Sequence, residues 1–300
     1  VIQLVNILSA RWLIAGEIAV NYIPLLVSFL QGKNITIDAS ILGKNDLKPF
    51  ALGPGNSEIN TVNRWSLDDE NVPENSIAVI PVDGVLRDYD TIEISRFIKN
   101  AIANPSINSI FLLTNSPGGM VSQIDLVSDQ ITNSPKPVVT FVTDLNASAA
   151  AWLTSGSTKI ILSSKLNRVG SIGVMTQFND LWPMLEKFGI DHREIYATKS
   201  TEKNLQKRML INPELSKEEQ EKPLIEDLDF VNDFFHQAMI KNRKLDPESE
   251  VFKGNIYYAE RAIELGLADS IDTLDNALSL AHKLGLQNKI NQFNSNFYKK

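Results

Sequence analysis

Apolar positions fall into two rhythms along the chain. Short continuous runs bounded by Pro, Gly and Asn mark strands buried on both faces. They are Ile77-Ala78-Val79-Ile80-Pro81-Val82, closed by an Asp83-Gly84 turn, then Ile110-Phe111-Leu112-Leu113-Thr114, Pro137-Val138-Val139-Thr140-Phe141-Val142 and Lys159-Ile160-Ile161-Leu162. Pro81 leaves a gap in its ladder, which points to an edge or a bulge. Between these runs the apolar residues recur at the helical period. Ile92, Ile94, Phe97, Ile98 and Ala101 line one face of a helix over 91–103; it stops before Pro105, which biases Asn104 out of the helical region. Further helices are predicted over 120–133, from Ser148 onward, and over 181–188, where Gly189 ends the last. Arg193–Ala197 reads as one more strand. Ser216 and Glu219 form a capping box ahead of a long helix with Leu224, Leu228, Val231, Phe235 and Met239 on its apolar stripe. A closing helix is expected near Asp275–Leu284. Strands alternating with helices predict an α/β fold.

The two ends of the chain read differently. Residues 1–32 look helical, with Pro24 in the first turn of a second helix. Residues 33–75 are rich in Asn, Asp, Gly and Pro and read as a linker, or an arm crossing another subunit. Residues 286–300 are polar and read as a frayed tail. The body between them, 76–285, is long enough for one substantial core in a chain that is 43% hydrophobic.

Charge and composition remove several classes of function. With 29 basic against 36 acidic residues the formal charge is −7, and no basic run offsets it, so a nucleic-acid partner is not expected. The absence of cysteine excludes disulfides, thiol catalysis and Cys-ligated zinc. With three scattered histidines, His192, His236 and His282, a metal site is not expected, and no cofactor is implied. The longest uncharged N-terminal run, Ile18 to Gly32, is shorter than the about 20 apolar residues of a span and is interrupted by Asn21 and Pro24. Arg11 and Glu17 sit where a signal peptide would carry its apolar core. No membrane span is therefore expected.

Candidate chemistry sits at the carboxyl ends of two adjacent strands, where α/β proteins commonly place ligands. Asn115-Ser116-Pro117-Gly118-Gly119 follows one strand and offers bare backbone N–H groups. Asn146-Ala147-Ser148-Ala149-Ala150-Ala151 follows the next and sets a serine at a helix start among small residues. A nucleophile and an oxyanion hole would need such groups. The ordinary role of a serine at a helix start is an N-cap, and that of a glycine pair is a tight turn.

Together with Gly170-Ser171-Ile172-Gly173-Val174 and a closing Gly254-Asn255-Ile256-Tyr257-Tyr258-Ala259-Glu260-Arg261-Ala262 signature, these motifs resemble the signal peptide peptidase A family of Ser–Lys peptidases, over roughly Ser76 to His282. A single copy of the serine motif makes the chain similar to the phage head-maturation type. The resemblance implies the Clp-protease/crotonase spiral of ββα units. It casts Ser148 as nucleophile, and the N–H of Ala149 with that of Gly118 or Gly119 as oxyanion donors. None of the three histidines has the position of the Clp relatives' histidine, which leaves a lysine as base. Such a lysine must be neutral to accept a proton, and burial favours that form. Counted without gaps, the family position falls on Thr201. A two-residue insertion brings Lys203 into place with Asn204 after it, and a deletion brings Lys199; Lys203 is preferred. Ser171 either holds the lysine amine or is a turn serine bonding its own backbone. The implied activity is that of an ATP-independent serine endopeptidase acting on a polypeptide, in a phage or prophage head. The alternatives are a cytoplasmic signal-peptide-degrading enzyme and a catalytically silent capsid scaffold. The family also implies a homo-oligomer and a cytoplasmic or prohead location.

Overall fold

A computed structural model describes residues 11–14, 48–54, 64–177, 186–187, 189, 191 and 193–297. In chain order its strands are β1 (Arg11–Ile14), β2 (Phe50–Leu52), β3 (Arg64–Trp65), β4 (Ser76–Leu86), β5 (Ile107–Met120), β6 (Val138–Ala147), β7 (Lys159–Leu162), β8 (Arg168–Gly170), β9 (Met175–Thr176), β10 (Ile256–Tyr258) and β11 (Ser270–Ile271). The helices are α1 (Asp88–Ala103), α2 (Ile124–Thr132), α3 (Ala149–Thr154), α4 (Leu205–Leu210), α5 (Lys217–Arg243), α6 (Ala259–Glu264) and α7 (Leu274–Phe297).

One mixed sheet runs β10-β8-β6-β5-β4-β2-β3, with β4, β5 and β6 parallel at its centre. Because side chains alternate across a strand, each central strand feeds two apolar layers. Ala78, Ile80, Val82, Ile110, Leu112 and Val142 pack on the side of α1, α2, α3 and α5. Ile77, Val79, Phe111, Val139 and Phe141 pack on the other side against Ala277, Leu278 and Ala281 of α7. The single apolar stripe of α7 thus covers a sheet face that would otherwise meet water. The whole is a mixed α/β fold.

β6 changes neighbour along its length. Val139–Val142 pair with β7, whereas Leu145–Ala147 pair with β8. That exchange brings Gly170 level with Ala147, so Ser171 arrives beside Ser148.

Several local expectations give way to pairing between distant segments. The Asn115–Gly119 stretch is not a turn but the continuation of β5, held to β4 by the pairs Val85↔Gly118 and Leu86↔Gly119. The Asp83-Gly84 step is likewise inside β4, as an irregularity in the β4–β5 register two residues beyond Pro81. Arg11–Ile14 is a strand, not helix, because it finds partners on both edges in β5 and β9. The rest of the predicted N-terminal helices lies outside the described residues. The 33–75 segment is partly sheet: Ala51 and Leu52 are buried against β4, and Leu67 and Val72 join the core. Glu186 and Lys187 are helical, but the rest of the predicted 181–188 helix lies outside the described residues. Arg193–Ala197 is not a strand, having no edge to pair with in the single chain. The closing helix does not fray at 286 but runs to Phe297, and Asn288 and Gln292 donate to the carbonyl of Pro135 at 2.8 and 3.2 Å.

Lys136 closes the end of α1, donating from Nζ to the carbonyls of Ala101 and Asn104 at 2.8 and 2.7 Å. Burial pulls this ammonium down to about 8, with Lys289 adding to the shift. A folded value below the unfolded one of 10.5 means the unfolded chain binds more protons between those limits. This group's contribution therefore rises with pH from about 8 to 10.5. Lys136→Met is expected to cost about 1–2 kcal/mol by stripping two carbonyls of their donor. Urea unfolding should show the wild type gaining on the variant as pH rises through that window.

Candidate active site

β6 ends at Ala147, and Ser148 turns the chain into α3 with φ 57° and ψ −123°. A residue with a side chain is strained there by about 1–3 kcal/mol, so the surroundings must hold it. The Ser148 N–H donates to the carbonyl of Gly170 at 2.8 Å, and its carbonyl accepts from the N–H of Trp152 at 3.0 Å. Ala149, Ala150 and Ala151 are buried behind it, and Trp152 stacks on Phe235 of α5 with ring centroids 4.9 Å apart. Asn146 braces the same corner, its Nδ2 donating to Thr154 Oγ1 at 2.9 Å while that hydroxyl donates to the carbonyl of Ala150.

In this conformation the Ser148 side chain makes no capping hydrogen bond. Among the described residues its hydroxyl has no hydrogen-bond partner. The ordinary use of a serine at a helix start is therefore not in play.

Ser171 follows Gly170 and is itself left-handed, with φ 55°. Its N–H donates to the carbonyl of Asn255 at 2.7 Å, and no bond from its hydroxyl to its own backbone occurs among the described residues. Gly170 must be glycine: φ is +137°, and a Cβ would meet the Asn255 carbonyl oxygen at 2.4 Å. Ser171 opens onto a hollow of about 450 Å³ walled by Ile172, Val174, Leu228 and Phe252.

On the other side of Ser148, β5 carries the two glycines. Ser116, paired with Asn146 across the sheet, donates from Oγ to the carbonyl of Gly84 at 2.6 Å and accepts from the N–H of Gly118 at 3.1 Å. Gly118 is left-handed at φ 94°, whereas Gly119 is demanded by space, since a Cβ there would lie 1.9 Å from the Leu86 carbonyl oxygen.

The fold thus brings Ser148, Ala149, Ser171, Gly118 and Gly119 to one end of the parallel strands. It does not bring the lysines with them in the single chain. Lys199 and Lys203 are exposed, and neither amine has a hydrogen bond or ion pair among the described residues. Lys203 borders a separate open hollow of about 470 Å³ with Tyr196 and Asn204. His236 packs at a tilt against Phe252 with ring centroids 4.5 Å apart, and burial lowers its pKa against a smaller upward pull from Asp233. His282 lies on α7 and His192 lies outside the described residues. Among the described residues no His, Cys, Asp and Glu cluster could hold a metal. Sequence reading missed Asn146, Thr154, Ser116 and Asn255 as the groups that pin this corner. Each acts through a contact between segments, and only the Gly254-Asn255 turn left a local signal.

Comparison with known proteins places the chain in a family. The model of peptidase family S49 matches residues 130–297, more than half of the chain. The chain belongs to peptidase family S49. The Clp protease model matches residues 89–164 of this S49 chain. Protease 4 of Haemophilus influenzae is 27% identical over 230 residues, covering 73% of this chain and 36% of that protein. An Enterococcus faecium protein that bears the name SppA is 25% identical over 291 residues, 91% of this chain and 80% of that one. Capsid assembly protease C of Escherichia phage lambda is 33% identical over 138 residues, 41% of this chain and 31% of that one. The S49 chain thus spans only about a third of the Haemophilus protein's length.

Proposed function

We propose that the chain is an ATP-independent serine endopeptidase with a Ser–Lys dyad. The observation that carries this is Ser148 itself, strained, uncapped and with a hydroxyl that has no hydrogen-bond partner among the described residues, in a chain of the S49 family. Ser148 Oγ attacks the scissile carbonyl while Lys203 accepts its proton. The N–H of Ala149 and one from Gly118 or Gly119 steady the oxyanion. The lysine then protonates the leaving amine, and water releases the acyl group. Ser171 orients the amine, and Lys199 is the alternative base.

The exposure of both lysines in the single chain supports a homo-oligomer as the working form. A lysine base needs the burial that a second copy would supply. Ile195, 92% exposed on the same segment, suits such a contact.

The natural substrate is a polypeptide, and capsid maturation in a phage or prophage head is the reading we favour. The 33% identity to capsid assembly protease C supports it. Degradation of signal peptides in the cytoplasm is the second reading, favoured by the 91% of this chain aligned with the SppA-named protein. Among the described residues no helix is long and apolar enough to cross a membrane.

A fluorophosphonate probe tests the chemistry. It should label Ser148 in the wild type and nothing in Ser148→Ala, and absence of labelling together with no hydrolysis of unfolded casein would leave the scaffold reading. Hydrolysis should increase from neutral to alkaline pH, because the lysine must be unprotonated to accept a proton; an optimum at pH 5 would remove the dyad.

A further inference from the structure

β1 shares one edge of β5 with β6. Each residue of a strand has two lateral neighbours, and at Gly118 and Gly119 one of them is β4, through Val85 and Leu86. The other is β1, antiparallel, with Ile14 opposite Gly118, Leu13 opposite Gly119 and Trp12 opposite Met120. That second edge of β5 is the one β6 covers up to the pair Ser116↔Asn146. β1 therefore continues the line of β6 from the opposite direction. The two chains approach each other end to end, β6 leading into Ser148 and β1 finishing at Ile14.

On its far side β1 pairs with β9, Trp12 opposite Met175 and Arg11 opposite Thr176, and among the described strands β9 has no other partner. Without β1, the space between β5 and β9 is a slot one strand wide, about 10 Å between strand axes. It presents unpaired backbone groups on both walls. Such a slot takes an extended polypeptide by strand addition, with little demand on its side chains.

We propose that Arg11–Ile14 is an internal competitor for polypeptide substrate, an intrachain strand that fills the slot leading to Ser148 and must leave before a substrate enters. The proposal deepens the peptidase reading and rests on it for the role of Ser148. A strand tethered in the same chain acts at an effective concentration on the order of millimolar. A free peptide with an intrinsic Kd of about 10–100 μM would then bind about ten- to a hundredfold more weakly than its contacts allow.

The test uses the full chain in a Ser148→Ala background, so that binding is read without hydrolysis. A fluorescein-labelled peptide with the sequence of residues 9–16 is titrated by anisotropy into this chain and into the same chain carrying Leu13→Pro. Proline has no N–H to give and does not sit inside a sheet, so the variant releases β1. The peptide should bind the Leu13→Pro chain at least tenfold more tightly. Equal affinity for both chains, or binding to neither, overturns the proposal. Hydrogen exchange on the chain without Leu13→Pro guards against a misfolded variant. Excess unlabelled peptide should speed exchange at Arg11–Ile14 while the amides of β4 stay protected, and unchanged exchange at Arg11–Ile14 overturns the proposal as well. With Ser148 restored, Leu13→Pro should speed probe acylation about tenfold. A failure of the probe on both chains would count against Ser148 as nucleophile, whereas the binding and exchange results judge β1 alone.

Discussion

Ser148→Ala is expected to lower turnover of an unfolded protein substrate by about 10³–10⁶, and Lys203→Met to match it, because members of a unit that acts together fail together. Lys199→Met should keep most of the activity. The reverse pattern moves the base to Lys199, and full activity in both lysine variants ends the dyad reading. Stability separates chemistry from damage. Both lysines are exposed, so their substitution should shift unfolding of the single chain by no more than about 0.5 kcal/mol. At Ser148 the backbone makes a sharper forecast. Alanine keeps the strained φ of 57° and should leave stability nearly unchanged, whereas glycine relaxes it. Ser148→Gly should therefore be inactive yet about 1 kcal/mol more stable than Ser148→Ala, read from urea midpoints. A glycine variant less stable than the alanine variant would show that the turn is not strained.

Gly119→Ala should be the most damaging single methyl group in the chain's active corner. Its Cβ would lie 1.9 Å from the carbonyl oxygen of Leu86, and that atom is backbone, not the movable end of a side chain. Relief requires β4 and β5 to part where they pair through Val85, Leu86, Gly118 and Gly119. Overpacking that shifts backbone costs about 3 kcal/mol or more, which lowers Tm by roughly 6–12 °C for a domain of this size. Gly189→Ala is the contrasting control. Its backbone is left-handed, φ +78°, as that of Gly119 is not, but among the described residues a Cβ there meets nothing within 4 Å, so its cost should stay near about 1 kcal/mol. Equal melting points for the two variants would mean that the strands yield freely at Gly119. Labelling of Ser148 should fall in Gly119→Ala even below its melting point, since the same movement shifts the groups across the sheet from Asn146.

The central strands, α1, α5 and the serine corner were legible because their signals are local. A strand buried on both faces must be continuously apolar, a helix against a sheet must repeat its apolar residues every three to four positions, and a capping box declares itself within four residues. The strand–corner–helix step at Ser148 followed from the same signals plus the family's motifs. What tertiary structure alone decided lies wherever a short segment takes its conformation from a distant edge. Gly118 and Gly119 read locally as a turn, yet they belong to β5 because β4 holds one side and β1 the other. Arg11–Ile14, β2 and β3 are too short to carry a period of their own and exist as strands only through their partners. Arg193–Ala197 has strand-forming residues and no edge, so it remains outside the sheet. Residues 288–292 look polar enough to fray, but helix α7 is extended there by contacts to Pro135 and Asn75. A chain's own periodicity determines which segments are buried and at what period. Which segments become neighbours is settled by backbone hydrogen bonds between remote residues, and these leave no mark on the residues that make them.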